Sequence, residues 1–201
     1  EFINASLSEV IIDDDKLNIE ISLVDSEKFY IEKINILGNE YTIEEVVRNS
    51  FIVDEGDPYN EILFNKSINK IKSRNLFAKV EPKISDGSTP NLKIIDITVE
   101  EQPTGEISLG AGIGTSGGSF GGGIKENNFL GKGIKLDTNA TITKNSLKGK
   151  FTYEQPNYNN TENSLFTSIS STSQDNLDNF GYKTSKLGFS VGTAFEQYEN
   201  L

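Results

Sequence analysis

Cysteine, histidine and methionine are all absent from the 201-residue chain, and each absence closes a different set of possibilities. Without cysteine there are neither disulfides nor thiolate metal sites. Without histidine there is no Ser-His-Asp triad, no imidazole zinc site and no histidine general base, which removes most common catalytic plans. The chain is therefore read as a non-enzyme, with no catalytic residue, no metal ligands and no cofactor. A chain that opens on Glu1 and holds no methionine reads as a segment of a longer protein, with any signal peptide outside it. Also missing is any run of about 18 apolar residues, so no membrane-spanning helix is expected. That leaves a β-barrel open, because barrel strands give only short alternating signals.

Positive charge is scarce, and unevenly so. Net charge is −11; residues 1–103 carry 21 acids against 11 bases, and residues 104–201 carry 9 against 8. The acidic front half lacks the basic footprint that nucleic-acid binders need, so no nucleic-acid partner is expected.

What is present in the front half reads as a small mixed domain. Tyr30, Glu32 and Ile34 alternate with Ile31, Lys33 and Asn35 up to Gly38-Asn39, a strand stopped by a turn. Thr42 followed by Glu45 predicts a capping box opening a helix with Ile43, Val46, Val47 and Phe51 on its apolar face. After the loop "VDEGDPYN", Pro58 suits the first turn of a second helix, and Ile62, Leu63, Ile68, Ile71 and Leu76 keep a 3.6-residue period to about Asn75. "LFAKVEPKI" and "NLKIIDITVEE" then give two strands around the turn Ser85–Asn91. The order is β-α-α-β-β over residues 28–101. Phe2, Ile19, Ile21 and Leu23 match Phe77, Ile95, Ile97 and Val99 at an offset of 75 or 76 residues. That spacing predicts tandem modules whose first copy is truncated. "DDD" at 13–15 reads as a solvated hairpin turn, because it lacks the spaced acids of an EF-hand loop.

From residue 104 onward helical periodicity gives way to period two. Ile107, Leu109, Ala111 and Ile113 alternate with Glu106, Ser108, Gly110 and Gly112, and the segments around Ile134–Ile142, Leu147–Tyr153 and Leu187–Phe195 do the same. A soluble sandwich would produce this pattern as well. Three features favour membrane hairpins: segments near the ten or so residues needed to cross a bilayer at a tilt, charged and Asn/Thr-rich hydrated faces, and aromatics near strand ends at Phe129, Tyr153, Tyr158, Phe180, Tyr182 and Tyr198.

Glycine is concentrated, with 11 of 18 between Gly105 and Gly133. Gly112, Gly114 and Gly117 match the dinucleotide fingerprint G-x-G-x-x-G, but "GGSFGGGIKEN" cannot start the helix that would hold a pyrophosphate. A flexible linker is disfavoured by Ile107, Leu109, Ile113, Phe120 and Ile124 at strand spacing. A weakly held glycine-rich hairpin remains.

The segments "ILGNEYT" (36–42), "VDEGDPYN" (53–60), "NLFAKVEPKI" (75–84), "GEISLGAGIGTSGG" (105–118) and "ENNFLGKGIKL" (126–136) together resemble the Omp85 superfamily, and within it most closely the outer-membrane protein assembly factors. Asn128, Phe129, Leu130, Gly131 and Gly133 match the family's N-[FW]-L-G-x-G segment. The resemblance implies an α+β POTRA domain followed by antiparallel transmembrane strands of a sixteen-stranded barrel. Residues 1–26 would be the tail of a preceding POTRA repeat, 27–102 the membrane-proximal POTRA domain, and 103–201 the first four or five barrel strands. It also implies a bacterial outer-membrane location, with POTRA domains in the periplasm.

The implied role is folding and insertion of barrel proteins, with unfolded outer-membrane clients, accessory lipoproteins and the lipid bilayer as partners. An Omp85-family polypeptide transporter, of two-partner secretion or autotransporter-assembly type, is the alternative. Client strands would pair with the seam strand at Ile107, Ser108, Leu109, Gly110, Ala111, Gly112 and Ile113. The POTRA edge at Phe77, Ala78, Lys79, Val80 and Glu81 would bind by β-augmentation, and Glu55 would dock a partner lipoprotein.

Overall fold

The computed structural model describes residues 3–13, 16–25, 27–114 and 117–195. Strands β1 (Ile3–Asp13) and β2 (Lys16–Asp25) form an antiparallel hairpin of their own. Its Ile19, Ile21 and Leu23 alternate as sequence periodicity requires, yet all three are exposed, because no element covers that face among the described residues. Phe2, Asp14 and Asp15 lie outside the described residues.

Residues 30–101 fold around one core. β3 (Tyr30–Leu37) leads through α1 (Glu44–Arg48) and α2 (Glu61–Ser73) to β4 (Phe77–Asp86) and β5 (Leu92–Glu101). The sheet order is β3-β5-β4, with β5 parallel to β3 and antiparallel to β4. Ile31, Ile34, Ile95, Ile97 and Val99 from the sheet meet Val46, Val47, Phe64, Ile68 and Ile71 from the helices, and all are buried.

Four local expectations change. A register shift between Ile31 and Lys33 puts both Ile31 and Ile34 in the core, so the simple alternation over 30–35 is broken by a bulge. Thr42 makes no capping box: the cap position is Ile43, without a side-chain hydrogen bond, and Thr42 is turned to another use described below. α2 starts at Glu61 rather than at Pro58, because the Asn60 side chain accepts from the N–H groups of Ile62 and Leu63. Pro58 instead bridges to Tyr30. Finally, Ile62 is exposed, and Phe64, on the opposite side of the turn, takes the core position.

The remaining strands are β6 (Gly105–Gly114), β7 (Gly117–Phe129), β8 (Ile134–Thr143), β9 (Ser146–Gln155), β10 (Ser164–Asn176) and β11 (Tyr182–Ala194). They pair only with chain neighbours, in one antiparallel sheet with β6 and β11 at its edges. Six strands replace the four or five expected. The additional one is found in β10, where serine and threonine stand at so many positions that hydropathy alternation is too weak to read. On one face stand Ile107, Leu109, Ile113, Phe120, Ile124, Ile142, Phe151, Ile169, Leu187, Phe189 and Val191, all exposed. Charge on the other face is carried by Lys125 and Lys135, paired with Asp137 at 3.9 Å and Glu154 at 2.9 Å. The face that is apolar is the one turned away from any protein core, the reverse of a soluble domain and the pattern of a barrel in lipid. Tyr158 and Phe129 sit at one end of the sheet and Phe180 and Tyr182 at the other, while Tyr198 lies outside the described residues.

The POTRA core offers a stability test. Ser67 is fully buried, donates its hydroxyl to the Leu63 carbonyl at 2.9 Å and accepts the Ile52 N–H at 2.9 Å. Ser67→Ala strands that amide, and the excised domain is expected to lose about 1–3 kcal/mol, read as a lower urea midpoint at unchanged slope.

Candidate functional site: strand edges and a docked junction

Three sheet edges are present between β3 and β6, and each treats its outward backbone groups differently. That of β3 is closed. Ile31 donates to the Asp57 carbonyl and accepts from Gly56, and Tyr59 donates to Phe29. Farther along, Glu55 Oε1 accepts the Ile34 N–H at 3.0 Å while Arg48 Nη2 donates to the Ile34 carbonyl at 2.8 Å. A carboxylate and a guanidinium thus occupy both backbone groups that a neighbouring strand would have used. Arg48 also binds Glu44 at 2.6 Å, and its guanidinium pKa is raised, chiefly by that hydrogen bond. Glu55 is placed in a loop with this capping role, and both of its contacts use one oxygen.

The β4 edge is open but blunted. The register shifts between Phe77 and Lys79, which leaves Ala78 as the extra residue of a bulge. Pro82 follows, and a proline cannot donate. Phe77 and Val80 point into the core, while Ala78, Lys79 and Glu81 are exposed. The stretch free to pair is therefore short, running from the bulge to the proline.

The β6 edge is open throughout. All ten of its residues are exposed, and it pairs with β7 without a break from Gly105↔Glu126 to Gly114↔Gly117. Seven of those ten pairs contain a glycine, leaving only Glu106↔Lys125, Ile107↔Ile124 and Ala111↔Phe120 with side chains on both strands. Cross-strand side-chain pairs contribute about 0.2–1 kcal/mol each, so this hairpin is held almost entirely by its backbone. The glycines are not equivalent. A Cβ on Gly122 would meet Leu109 at 2.9 Å, and one on Gly123 would meet the Ser108 hydroxyl at 3.1 Å, so β7 needs its glycines for close packing. Gly110 and Gly114 of β6 face nothing within 4 Å. Gly112, Gly114 and Gly117 flank a hairpin tip with no helix, so the dinucleotide fingerprint is structurally void.

The hairpin's other end is docked. A register shift between Glu126 and Phe129 turns Asn128 out of the sheet and toward the α+β domain, a usual effect of a bulge. Asn128 is 2% exposed. Its amide donates to Thr42 Oγ1 at 2.8 Å, and its oxygen accepts the Gly133 N–H at 2.8 Å. The Gly131 carbonyl accepts the Ile43 N–H at 2.9 Å. From the end of β5, Glu101 accepts the N–H groups of Tyr41 at 2.9 Å and Thr42 at 2.6 Å. Burial pushes the Glu101 carboxyl up, but the hydrogen bonds from Thr42 and Tyr41 outweigh it and hold its pKa below the usual value. A second turn, between β9 and β10, also rests on the helices. Half-buried Arg74 donates to the Val46 carbonyl at 3.1 Å and to the Asn157 side chain, and Asn49 donates to Asn160 at 3.2 Å. Desolvation lowers the Arg74 pKa, though a guanidinium stays charged at any ordinary pH.

The motif residues Asn128, Phe129, Leu130, Gly131 and Gly133 therefore form this docked turn. Glu101, Thr42, Arg74 and Asn157 are its partners, which sequence patterns did not single out; Glu101 reads in sequence as one more acid in an acidic half. Among the described residues no group of acids forms a metal site.

The class of protein follows from these parts: an α+β domain continuous with, and docked beneath, the leading strands of a membrane-type β-sheet. Residues 29–102 match the POTRA family, described as a surface antigen variable number repeat. BamA of Neorickettsia risticii, an outer membrane protein assembly factor, is 34% identical over 125 residues, covering 60% of this chain and 16% of that protein. In fold, the chain resembles BamA from Haemophilus ducreyi lacking POTRA domains 1–3 (TM-score 0.77, 24% identity, 98% of this chain and 38% of that one). It also resembles CdiB from Escherichia coli (TM-score 0.59, 16% identity, 95% and 37%). The chain belongs to the Omp85 superfamily and is BamA-like within it. It spans about 16% of the length of the curated relatives it matches.

Two expectations follow for the junction. A Cβ at Gly131, where φ is +70°, would stand 2.0 Å from the Tyr41 carbonyl oxygen. Gly131→Ala should therefore lift the turn and speed hydrogen exchange at the Ile43 amide, with core amides such as Ile97 unchanged. Because the Glu101 pKa is depressed in the fold, its contribution is full above the unfolded carboxylate pKa and is lost as pH falls through the folded one. Exchange at Tyr41 and Thr42, corrected for intrinsic rates, should then rise at acid pH, and Glu101→Gln should abolish that step.

Proposed function

We propose that this chain is the membrane-proximal POTRA domain and leading barrel strands of a factor that folds and inserts β-barrel proteins into the bacterial outer membrane. The observation that carries the reading is the β6 edge: a fully exposed strand, continuous with a POTRA domain, held by backbone bonds with few side-chain pairs. Such an edge can take a client strand by β-augmentation, with main-chain bonds supplying affinity. On this reading Ile107–Ile113 is the template in a sixteen-stranded barrel, embedded in lipid through its apolar face. The POTRA domain stands in the periplasm and meets unfolded clients along Phe77–Glu81, within the window between the bulge and Pro82. Glu55 is the docking position for an accessory lipoprotein, using the oxygen that Ile34 and Arg48 leave uncontacted. The work is non-enzymatic, because strand templating makes and breaks hydrogen bonds only.

The polypeptide-transporter alternative is kept in view by the fold likeness to CdiB, while the relatives whose names print assembly-factor roles favour insertion. Depleting the full-length protein separates the two: loss of many outer-membrane barrels is expected for an assembly factor, and loss of one secreted partner with barrels intact would overturn it. In detergent the full-length protein should also show heat-modifiable migration, the mark of a closed barrel.

A further inference from the structure

The docked turn has more structure than a connection needs. Leu130 sits at φ +57°, a left-handed conformation that a non-glycine residue adopts at a cost of about 1–2 kcal/mol, and one that persists only where the surroundings over-determine it. They do so here through Asn128, whose two ends are bonded to different parts: Thr42 of the POTRA domain and Gly133 of its own turn. The grip extends to both strands of the leading hairpin. Thr104, just before β6, donates to Glu126 of β7, Asn127 donates its N–H to the Thr104 carbonyl at 3.3 Å, and Gln102 donates to the Asn75 and Leu76 carbonyls at the end of α2. Glu126 also accepts the Asn128 N–H at 2.7 Å. One end of the hairpin is thus bonded into the domain through several buried or half-buried polar groups, and the other ends in Gly112, Gly114, Gly117 and Gly118 with almost no side-chain pairs.

We propose that Asn128, Glu101 and Arg74 are positioning residues that lock the POTRA domain and the β6–β7 hairpin into one rigid body, so that the seam strand loosens from its glycine-rich end while its junction end stays fixed. The role in assembly rests on the function proposed above; the rigid coupling does not. Two consequences follow. The domain and the hairpin move together, and the domain's short β4 edge keeps one orientation relative to β6. Breaking the lock should leave each part folded and uncouple them.

The test uses the full-length protein in outer-membrane vesicles, with a spin label on the exposed POTRA residue Lys79 and another on the exposed hairpin residue Ser108. The chain has no cysteine of its own to interfere. Pulsed-dipolar distances should form one narrow peak in the parent. Asn128→Ala, and separately Thr42→Val, which removes only the acceptor from a nearly isosteric side chain, should broaden or split it. Unchanged heat-modifiable migration and an unchanged urea midpoint verify that barrel and domain still fold. A distribution that stays narrow in both variants overturns the proposal. A second arm replaces Asn49 and Asn160, whose side chains meet across the junction, by a cysteine pair. If the domain works as one body with the hairpin, the oxidised protein keeps its assembly rate and rescues Asn128→Ala; if the domain must swing, oxidation stops assembly and the proposal fails. Should the unmodified protein assemble no barrels at all, the function reading falls while the distance measurements still judge the lock.

Discussion

A β-strand carries two rows of backbone hydrogen-bonding groups, and the disposal of the second row governs this protein. Buried or sterically screened backbone groups without partners are costly, so every outward row is paired, covered or left in a setting that tolerates exposure. β3 is covered by its own loop and by the Glu55–Arg48 pair at Ile34. β4 is left open but shortened by a bulge and Pro82. β6 is left open over its whole length, and its apolar face is as bare as its edge, with Ile113 97% exposed. These are three grades of the same treatment, and they run from closed to open along the path from the domain toward the membrane strands.

The pattern was readable wherever one residue type decides the backbone. Period-two runs placed the seam strand within one residue of its observed start, since alternation is a property of the strand itself. The bulge at Ile31–Lys33 was not readable, because it arises from the pairing of β3 with β5, a contact between residues about sixty positions apart. Thr42 shows the same limit more sharply. In sequence it is three residues before a glutamate and at the head of an apolar run, the signature of a capping box. In the fold its N–H goes to Glu101 and its hydroxyl to Asn128. A local motif predicted the right hydrogen-bonding need and the wrong partner, since the partner came from the other end of the domain and from the barrel. β10 failed for the opposite reason, because Ser and Thr carry strand propensity without the hydropathy contrast that marks a face.

The glycine-rich run separates into two jobs that its composition cannot distinguish. Gly122 and Gly123 are spaces already filled by neighbours, where a larger residue would press on Leu109 or Ser108. Gly110 and Gly114 border open space, so packing does not require them and their effect lies in what they fail to add, the side-chain pairs that would bind β6 to β7. The same residue tightens one strand and loosens the other.

A polar junction suits this arrangement better than an apolar one. Apolar contact is non-directional, and two greasy surfaces can slide or rotate at little cost. Asn128, Glu101 and Arg74 each demand partners at fixed distance and angle, and a misplaced domain would leave Asn128, 2% exposed, unsatisfied. The junction therefore fixes orientation where an apolar patch would fix only proximity. The strained Leu130 turn follows from this requirement: with Asn128 turned toward Thr42 and Gly131 bonded to Ile43, the chain must reverse within the two intervening residues, and a left-handed leucine is the conformation that lets both bonds form together. Loose pairing at the seam and rigid pairing at the junction are thus complementary, since an edge that parts easily presents a strand in a defined direction only if its base is held.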